Sequence, residues 1–426
     1  MANFAIGKAL VISCGIGIDQ PENGVWNRNM VREPPIGHTC RICSSGNLSY
    51  VAGYEALARV TSDSKPQPPG GTLTVCENCG ATQKLPTDAF KREIADIYER
   101  YQIYYQADGA EQPIFDLGSG KGAPRSERLM AALAKMLPIP RTGRMLDFGC
   151  GTGAALRNFA NLRPEWELNG AELNAAALPL LTQIRGFNRL YTCTAKEIAE
   201  RFDLITMIHS LEHVLEPVQT LNDLRGRLGP TGHLFVQVPD CRRNPYDLVI
   251  SDHLLHFTLD TLRFAGERAG FRGVFASDSL LIKELSWLGV NGPSSAAGVI
   301  DAAGEQRRIQ RYVDWLAQQI STARRLARTC RQFGIFGTSI SGTWLYGAVG
   351  GEVSFFVDED PQRIGRTHMG LPILAPSEIS GTADVFVPLI PEVASAVVHR
   401  LGGLDVRFHI PPQIAAAAPS FDPAVI

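Results

Sequence analysis

From about residue 125 onward, short apolar runs alternate with amphipathic stretches. The apolar runs at 145–148, 168–172, 189–192, 202–208 and 229–239 read as strands. Segments 126–137, 154–160 and 259–269 repeat apolar positions at helical spacing, the first closed by Pro138 and Pro140. Alternation of this kind predicts helices packed on a parallel sheet. A long amphipathic helix, rich in Arg and Gln, is expected over 304–332 as a connector. Beyond it the alternation resumes, with strands at 333–336, 353–357, 371–374 and 383–387 and a helix from Glu392. This is a second, smaller Rossmann-like α/β unit. Upstream, 90–106 reads as a helix whose Tyr98, Tyr101 and Tyr105 share one face, Tyr104 standing beside them. That face is either a packing stripe or an aromatic lid.

Composition narrows the class. A chain of 426 residues exceeds one typical domain, so two or three are expected. With 45% hydrophobic and 20% charged residues it reads as globular, and a formal charge of −2 gives no electrostatic footprint for nucleic acid or an anionic membrane. No apolar run approaches membrane-spanning length. The first apolar stretch is broken by glycine and followed by acidic residues without a clear cleavage site, so a cytoplasmic protein is expected. Nine cysteines, an odd number in a long chain, do not read as a disulfide scaffold.

Four of those cysteines fall in two C-x-x-C pairs, Cys40/Cys43 and Cys76/Cys79. Each pair places two thiolates on one turn, which is the pattern of a tetrahedral Cys₄ zinc site. Four protein ligands leave no position for a substrate, so the expected Zn²⁺ is structural.

The strand at 145–148 runs into Gly149-Cys150-Gly151-Thr152-Gly153, and a helix follows. Glycines at alternate positions let a ligand approach the backbone, and the helix start offers free amides. The spacing G-x-G-x-G after Asp147 differs from the dinucleotide form G-x-G-x-x-G. Glu172 follows the glycines by about twenty residues at the next strand tip, where an acid accepts hydrogen bonds from ribose hydroxyls. The turn resembles motif I of the class I S-adenosylmethionine (SAM) methyltransferases. The resemblance implies that Asp147, Gly149, Gly151 and Gly153 hold the amino-acid end of SAM, with Glu172 and Leu173 at the ribose and Thr194 or Ala195 near the adenine. His209-Ser210-Leu211-Glu212-His213-Val214 is similar to the segment after strand four of these enzymes, which lines the cofactor and so implies contacts from His209 and Leu211. His213 is either active-site wall or a core histidine.

Beyond strand five, Asp252 and His253 form an acid–imidazole pair that could deprotonate a nucleophile, with His256 close by. Together, the cysteine module, the methyltransferase core and the C-terminal α/β unit resemble the sugar C-methyltransferases that act on nucleotide-linked deoxysugars. The Gly337–Gly342 turn and the segment from Val357 to Ile373 are similar to that family's third domain. The expected division is 1–37 unassigned, 38–90 zinc-binding, 91–300 methyltransferase, 301–332 connecting helix and 333–426 C-terminal. The resemblance implies a keto-sugar held between the middle and C-terminal domains, with Gly337, Ser339, Gly342 and His256 at the substrate and His253, Asp252 and His213 as catalytic residues. A base removes a proton beside the ketone, and the enolate attacks the SAM methyl. Where that family carries Y-x-E-H, this chain has Ile250, Ser251, Asp252 and His253. A related sugar, or O- or N-methylation of another small metabolite, therefore stays open. The expected partner is a small molecule, with neither nucleic acid nor membrane, and the protein is expected to be a monomer or homodimer.

Overall fold

The computed structural model describes residues 10–13, 38–101, 113–115, 122–137, 140–293, 300–379 and 383–414. Tyr104, Tyr105 and almost all of the unassigned 1–37 segment lie outside them. An eight-stranded sheet forms the centre, in the spatial order Leu10–Ser13, Phe187–Thr192, Glu167–Ala171, Arg144–Phe148, Phe202–Ile208, Leu228–Pro239, Glu284–Asn291, Phe271–Ser277. Neighbours run parallel until the last two strands, which pair antiparallel. Strand order reverses on either side of Arg144–Phe148. Its carboxyl end, carrying the glycine turn, is therefore the switch point where open α/β sheets bind ligands.

The closing antiparallel pair is absent from the sequence expectation. Its strands are interrupted by Gly273 and Gly289, and a Cβ at either would come within 3.0 Å of the buried Trp287 ring. The glycines make room for the indole and remove the alternation that marks a strand. At the opposite edge, Leu10–Ser13 pairs with Arg189–Thr192, so the N-terminal segment contributes a strand.

The cysteine module is a small antiparallel sheet of Leu48–Tyr50, Leu73–Cys76 and Thr82–Lys84, completed by Leu255–His256 from beyond strand five. This sheet thus draws strands from both the 38–90 and the 91–300 segments. Helix Asp88–Glu99 follows, ending before Tyr101.

Helix Ala302–Thr329 is more than a connector. Its stripe of Ile309, Val313, Leu316 and Ala323 packs with Tyr54, Val60 and Val75 of the cysteine module, Leu248, and Trp344 and Leu345 of the C-terminal unit. Burial of each large aliphatic side chain there contributes roughly 1.5–3 kcal/mol. The C-terminal unit has a six-stranded sheet, Thr367–His368, Leu371–Leu374, Phe355–Val357, Phe333–Phe336, Asp384–Phe386 and Arg407–His409, parallel except for its first pair. The Trp344 indole N–H donates to Ala58 O at 2.8 Å, fastening this unit to the cysteine module. Among the described residues, no helix is long and apolar enough to cross a membrane.

Candidate active site

Three parts of the chain wall one cleft of about 540 Å³. The glycine turn (Gly149, Gly151) and the rims of the fourth and fifth strands (His209, Pro239) supply the floor. Ser62 to Ser64 and Tyr101 enter from one side, and Ser339 to Ser341, Leu389 and Val393 from the other. The volume suits a small-molecule or cofactor site.

The turn is built for close approach. Gly149 sits at φ +84°, and a Cβ there would lie 2.5 Å from that of Ser210. The Ser210 hydroxyl donates to Phe148 O at 2.8 Å, so that neighbour is fixed. Gly153, at φ +82°, starts helix Ala154–Leu162, and a Cβ would strike Leu181 and Ile184 at 2.6 Å. Below the turn, Asp147 is buried and accepts from the Thr206 hydroxyl at 2.6 Å. Desolvation by burial pushes its carboxyl up to about 7. Glu172 accepts from the amides of Gly151, at 2.9 Å, and of Leu173, at 3.0 Å, so it braces the turn as well as marking the next strand's tip. A glycine cradle with free helix amides fits the amino-acid end of SAM, and an acid at the next strand tip fits its ribose. Asp147, Gly149, Gly151, Gly153 and Glu172 are the residues that would hold it.

The rim beyond strand five carries a buried imidazole–carboxylate set. The short turn Pro245–Val249 presents Asp247, whose Oδ1 lies 2.6 Å from His253 Nδ1 and whose Oδ2 lies 2.7 Å from His256 Nδ1. An ionised carboxylate only accepts, so both Nδ1 atoms carry hydrogen and His253 Nε2 is left with its lone pair. Burial opposes charge on His253, but Asp247 outweighs it and raises its pKa above the ordinary imidazole value. Burial works equally against Asp247, and the two imidazoles more than offset it, holding the carboxyl well below its usual range.

His213 stands edge-on to His253, ring centroids 4.7 Å apart, and donates from Nδ1 to Asp252 O at 2.9 Å. Burial and the neighbouring His253 lower its pKa. The Asp252 carboxylate takes the amide and hydroxyl of Ser62. His209 faces Glu284 through Nε2 at 2.5 Å; burial opposes its charge, yet Glu284 brings its pKa up to about 9.

Away from the cleft, the sulfurs of Cys40, Cys43, Cys76 and Cys79 lie within 4.8 Å of one another, with Cys40–Cys79 and Cys43–Cys76 each at 3.5 Å. All four are free thiols rather than disulfides. Tetrahedral Zn–S bonds of about 2.3 Å place sulfurs roughly 3.8 Å apart, which this arrangement fits.

The expected residues are only partly brought together. Asp147, Gly149, Gly151, His209, His213, His253 and Ser339 line the cleft. Leu211 is fully buried in the core, because the short helix Leu211–His213 turns it inward. Leu173 is 70% exposed beyond the strand tip. Thr194 spends its hydroxyl on Glu197, and Ala195 is core. Gly342 packs on Gly337 O, where a Cβ would sit 1.9 Å away, and so serves the helix rather than a ligand. His256 is fully buried between Asp247 and Lys84 and does not reach the cleft. The partner of His253 is Asp247 and not the adjacent Asp252, a correction that follows from the intervening turn. Asp247 and Lys84 were missed: no motif spacing singles out an acid six residues before a histidine, and Lys84 lies 172 positions before His256. Tyr98 packs edge-on against His213, whereas Tyr101 lines the cleft.

Residues 111–275 match the family described as Methyltransferase domain. A ubiquinone biosynthesis O-methyltransferase of Saccharophagus degradans is 28% identical over 171 residues, spanning 38% of this chain and 66% of that protein. A trans-aconitate 2-methyltransferase of Variovorax paradoxus is 31% identical over 117 residues, 26% of this chain and 45% of the relative. Among solved structures, the SAM complex of the glycopeptide N-methyltransferase MtfA shares 15% identity at a TM-score of 0.33, over 39% of this chain and 94% of that one. The first two curated relatives are matched over 26% and 66% of their own length. The glycine turn, the Glu172 strand tip and the His253 rim all fall inside the matched segment, and residues 111–275 are therefore a class I SAM-dependent methyltransferase domain.

Proposed function

We propose that the protein is a SAM-dependent methyltransferase acting on a nucleotide-linked keto-deoxysugar, with transfer to carbon through a base-generated enolate. The observation that carries this reading is the three-sided cleft. Ser339, Ser341 and Leu389 of the C-terminal unit face the glycine turn across it, so a substrate held by that unit sits over the cofactor cradle. SAM, when bound, supplies a methyl group on a sulfonium. The chain's own work is to align the two ligands, exclude water and handle one proton. His253 Nε2 takes the proton from the carbon beside the ketone, leaving the electron pair as an enolate, and Asp247 stabilises the imidazolium. His213 and Asp252 hold the ring edge and backbone around it. Zn²⁺ at the four cysteines is structural. In this reading the enzyme is cytoplasmic, a monomer or homodimer, and needs neither nucleic acid nor membrane.

A specific feature favours O- or N-methylation as the second reading. Ile250 lines the cleft at the position where the sugar C-methyltransferases place a tyrosine, so no hydroxyl at 250 can polarise a ketone. The O-methyltransferase of Saccharophagus degradans reported above lends weight to the same alternative. Mass spectrometry of nucleotide-linked keto-sugars incubated with labelled SAM tests both. A product heavier by one methyl, with the label on carbon, supports the first. Label on oxygen or nitrogen supports the second, and retained SAM without any methylated sugar removes the nucleotide-sugar substrate.

A further inference from the structure

Lys84 ends the last strand of the cysteine module and is fully buried, 172 positions before His256. An ammonium has three N–H donors. Here they meet three acceptors: Ile250 O at 2.5 Å, His253 O at 2.6 Å and His256 Nε2 at 3.2 Å. Since an ammonium cannot accept, the His256 nitrogen facing it is the unprotonated one, and His256 Nδ1 carries the hydrogen given to Asp247. A second proton on His256 would set an imidazolium N–H against the ammonium in a site closed to water. Burial and Lys84 draw His256 down to about 4, whereas burial draws Lys84 only to about 7, so the proton between them stays on the lysine.

Asp247 alone does not distinguish its two imidazoles, which lie at 2.6 and 2.7 Å. We propose that Lys84 is a positioning residue that keeps His256 neutral and thereby reserves the Asp247 charge for His253, the imidazole that reaches the cleft. The proposal rests on the methyl-transfer reading with His253 as base, and it gives the cysteine module a part in catalysis. The other charged and titratable groups around the set are Glu212, Asp252 and His213 beside His253, the buried Tyr54 and Cys241 near Asp247, and the Arg59–Glu93 ion pair near Lys84.

Nitrogen-15 NMR of histidine-labelled full-length protein tests it, alongside the pH profile of turnover. In the wild-type chain, His256 is expected to stay neutral with hydrogen on Nδ1 between about pH 5 and pH 7, while His253 titrates above it. In Lys84→Met, His256 is expected to titrate within that window and His253 to titrate at lower pH. The acid limb of kcat/KM should move with it, and kcat should fall about tenfold with KM and SAM affinity unchanged. Lys84→Arg keeps the charge and should keep His256 neutral. An unmoved pair of titrations in Lys84→Met would overturn the proposal. So would a wild-type His256 that carries hydrogen on Nε2 or is charged in this window, and that measurement stands even if the variant does not fold. The NMR arm needs no substrate. Failure of the nucleotide-sugar reading would show as missing turnover with these titrations intact.

Discussion

His253 donates from Nδ1 to Asp247, six residues upstream, at 2.6 Å, although Asp252 is its immediate neighbour in the chain. The 3-10 turn Pro245–Val249 folds Asp247 back beneath both histidines, while Asp252 is turned toward Ser62. His253 lines the cleft, and its Nδ1 contact to Asp247 leaves Nε2 as the basic nitrogen of the neutral ring. His253→Ala should abolish turnover and leave SAM affinity intact. Asp247→Asn should cost kcat roughly 10²-fold or more, and Asp252→Asn distinctly less. Equal losses for the two acids in steady-state kinetics would contradict this ordering.

The acid limb of activity follows from the same contact. Asp247 raises the His253 pKa above its ordinary value, and the base must be unprotonated to act. Turnover should therefore rise with pH through a limb lying above about 6.5, and Asp247→Asn should move that limb downward. The accompanying stability has the opposite sense. The charged pair stabilises the fold fully below the unfolded value and is lost as pH rises through the folded one. A kcat/KM profile and thermal melts across the same buffers read both.

Asp147 carries the reverse situation for an acid. Burial raises it to about 7, so its contribution is fullest below the unfolded carboxylate value and is lost as pH rises toward 7. Asp147→Asn should stabilise the ligand-free protein at pH 8 by about 1–3 kcal/mol while weakening SAM. Urea unfolding at pH 5 and pH 8 measures the first effect and calorimetry the second. A gain from Asp147→Asn at pH 5 as large as that at pH 8 would contradict the assignment.

Much of this was legible in the sequence. The strand–glycine–helix unit at 145–160 was readable because a buried apolar run, a glycine-alternating turn and a helical stripe are each local. The two C-x-x-C pairs were readable because ligand spacing is itself the signal. The glycines under Trp287 hid two strands, because close packing against an indole erased the alternation. The Asp247–His253–His256–Lys84 set was invisible for another reason. It is assembled by a two-residue strand, Leu255–His256, joining a sheet whose other members precede it by more than 170 positions, and no periodicity reports such a pairing. The long helix was found but its role was not, since an amphipathic stripe shows that a face is buried and not what covers it.

The four-cysteine cluster proposed to hold zinc and the histidines proposed to act on substrate share one sheet. Thr82–Lys84 pairs with Leu255–His256, and the same small sheet carries Cys76. Structural zinc of this type is worth ~10 kcal/mol of folding free energy. Cys76→Ser is expected to yield protein lacking one equivalent of zinc, with Tm lowered by about 10 °C or more and turnover lost with it. Zinc content by atomic absorption, melts and activity assays on that variant check the three together. Full activity in zinc-free protein would separate the module from the site.

The central claim is that the turn Gly149–Gly153 grips SAM. Calorimetric titration of the purified chain with SAM, S-adenosylhomocysteine and NAD addresses it most directly, with Gly151→Val as the blocked cradle. Stoichiometric binding of both sulfur ligands, abolished in the variant and absent for NAD, is the expected result. No heat with SAM, or saturable binding of NAD in its place, would contradict it.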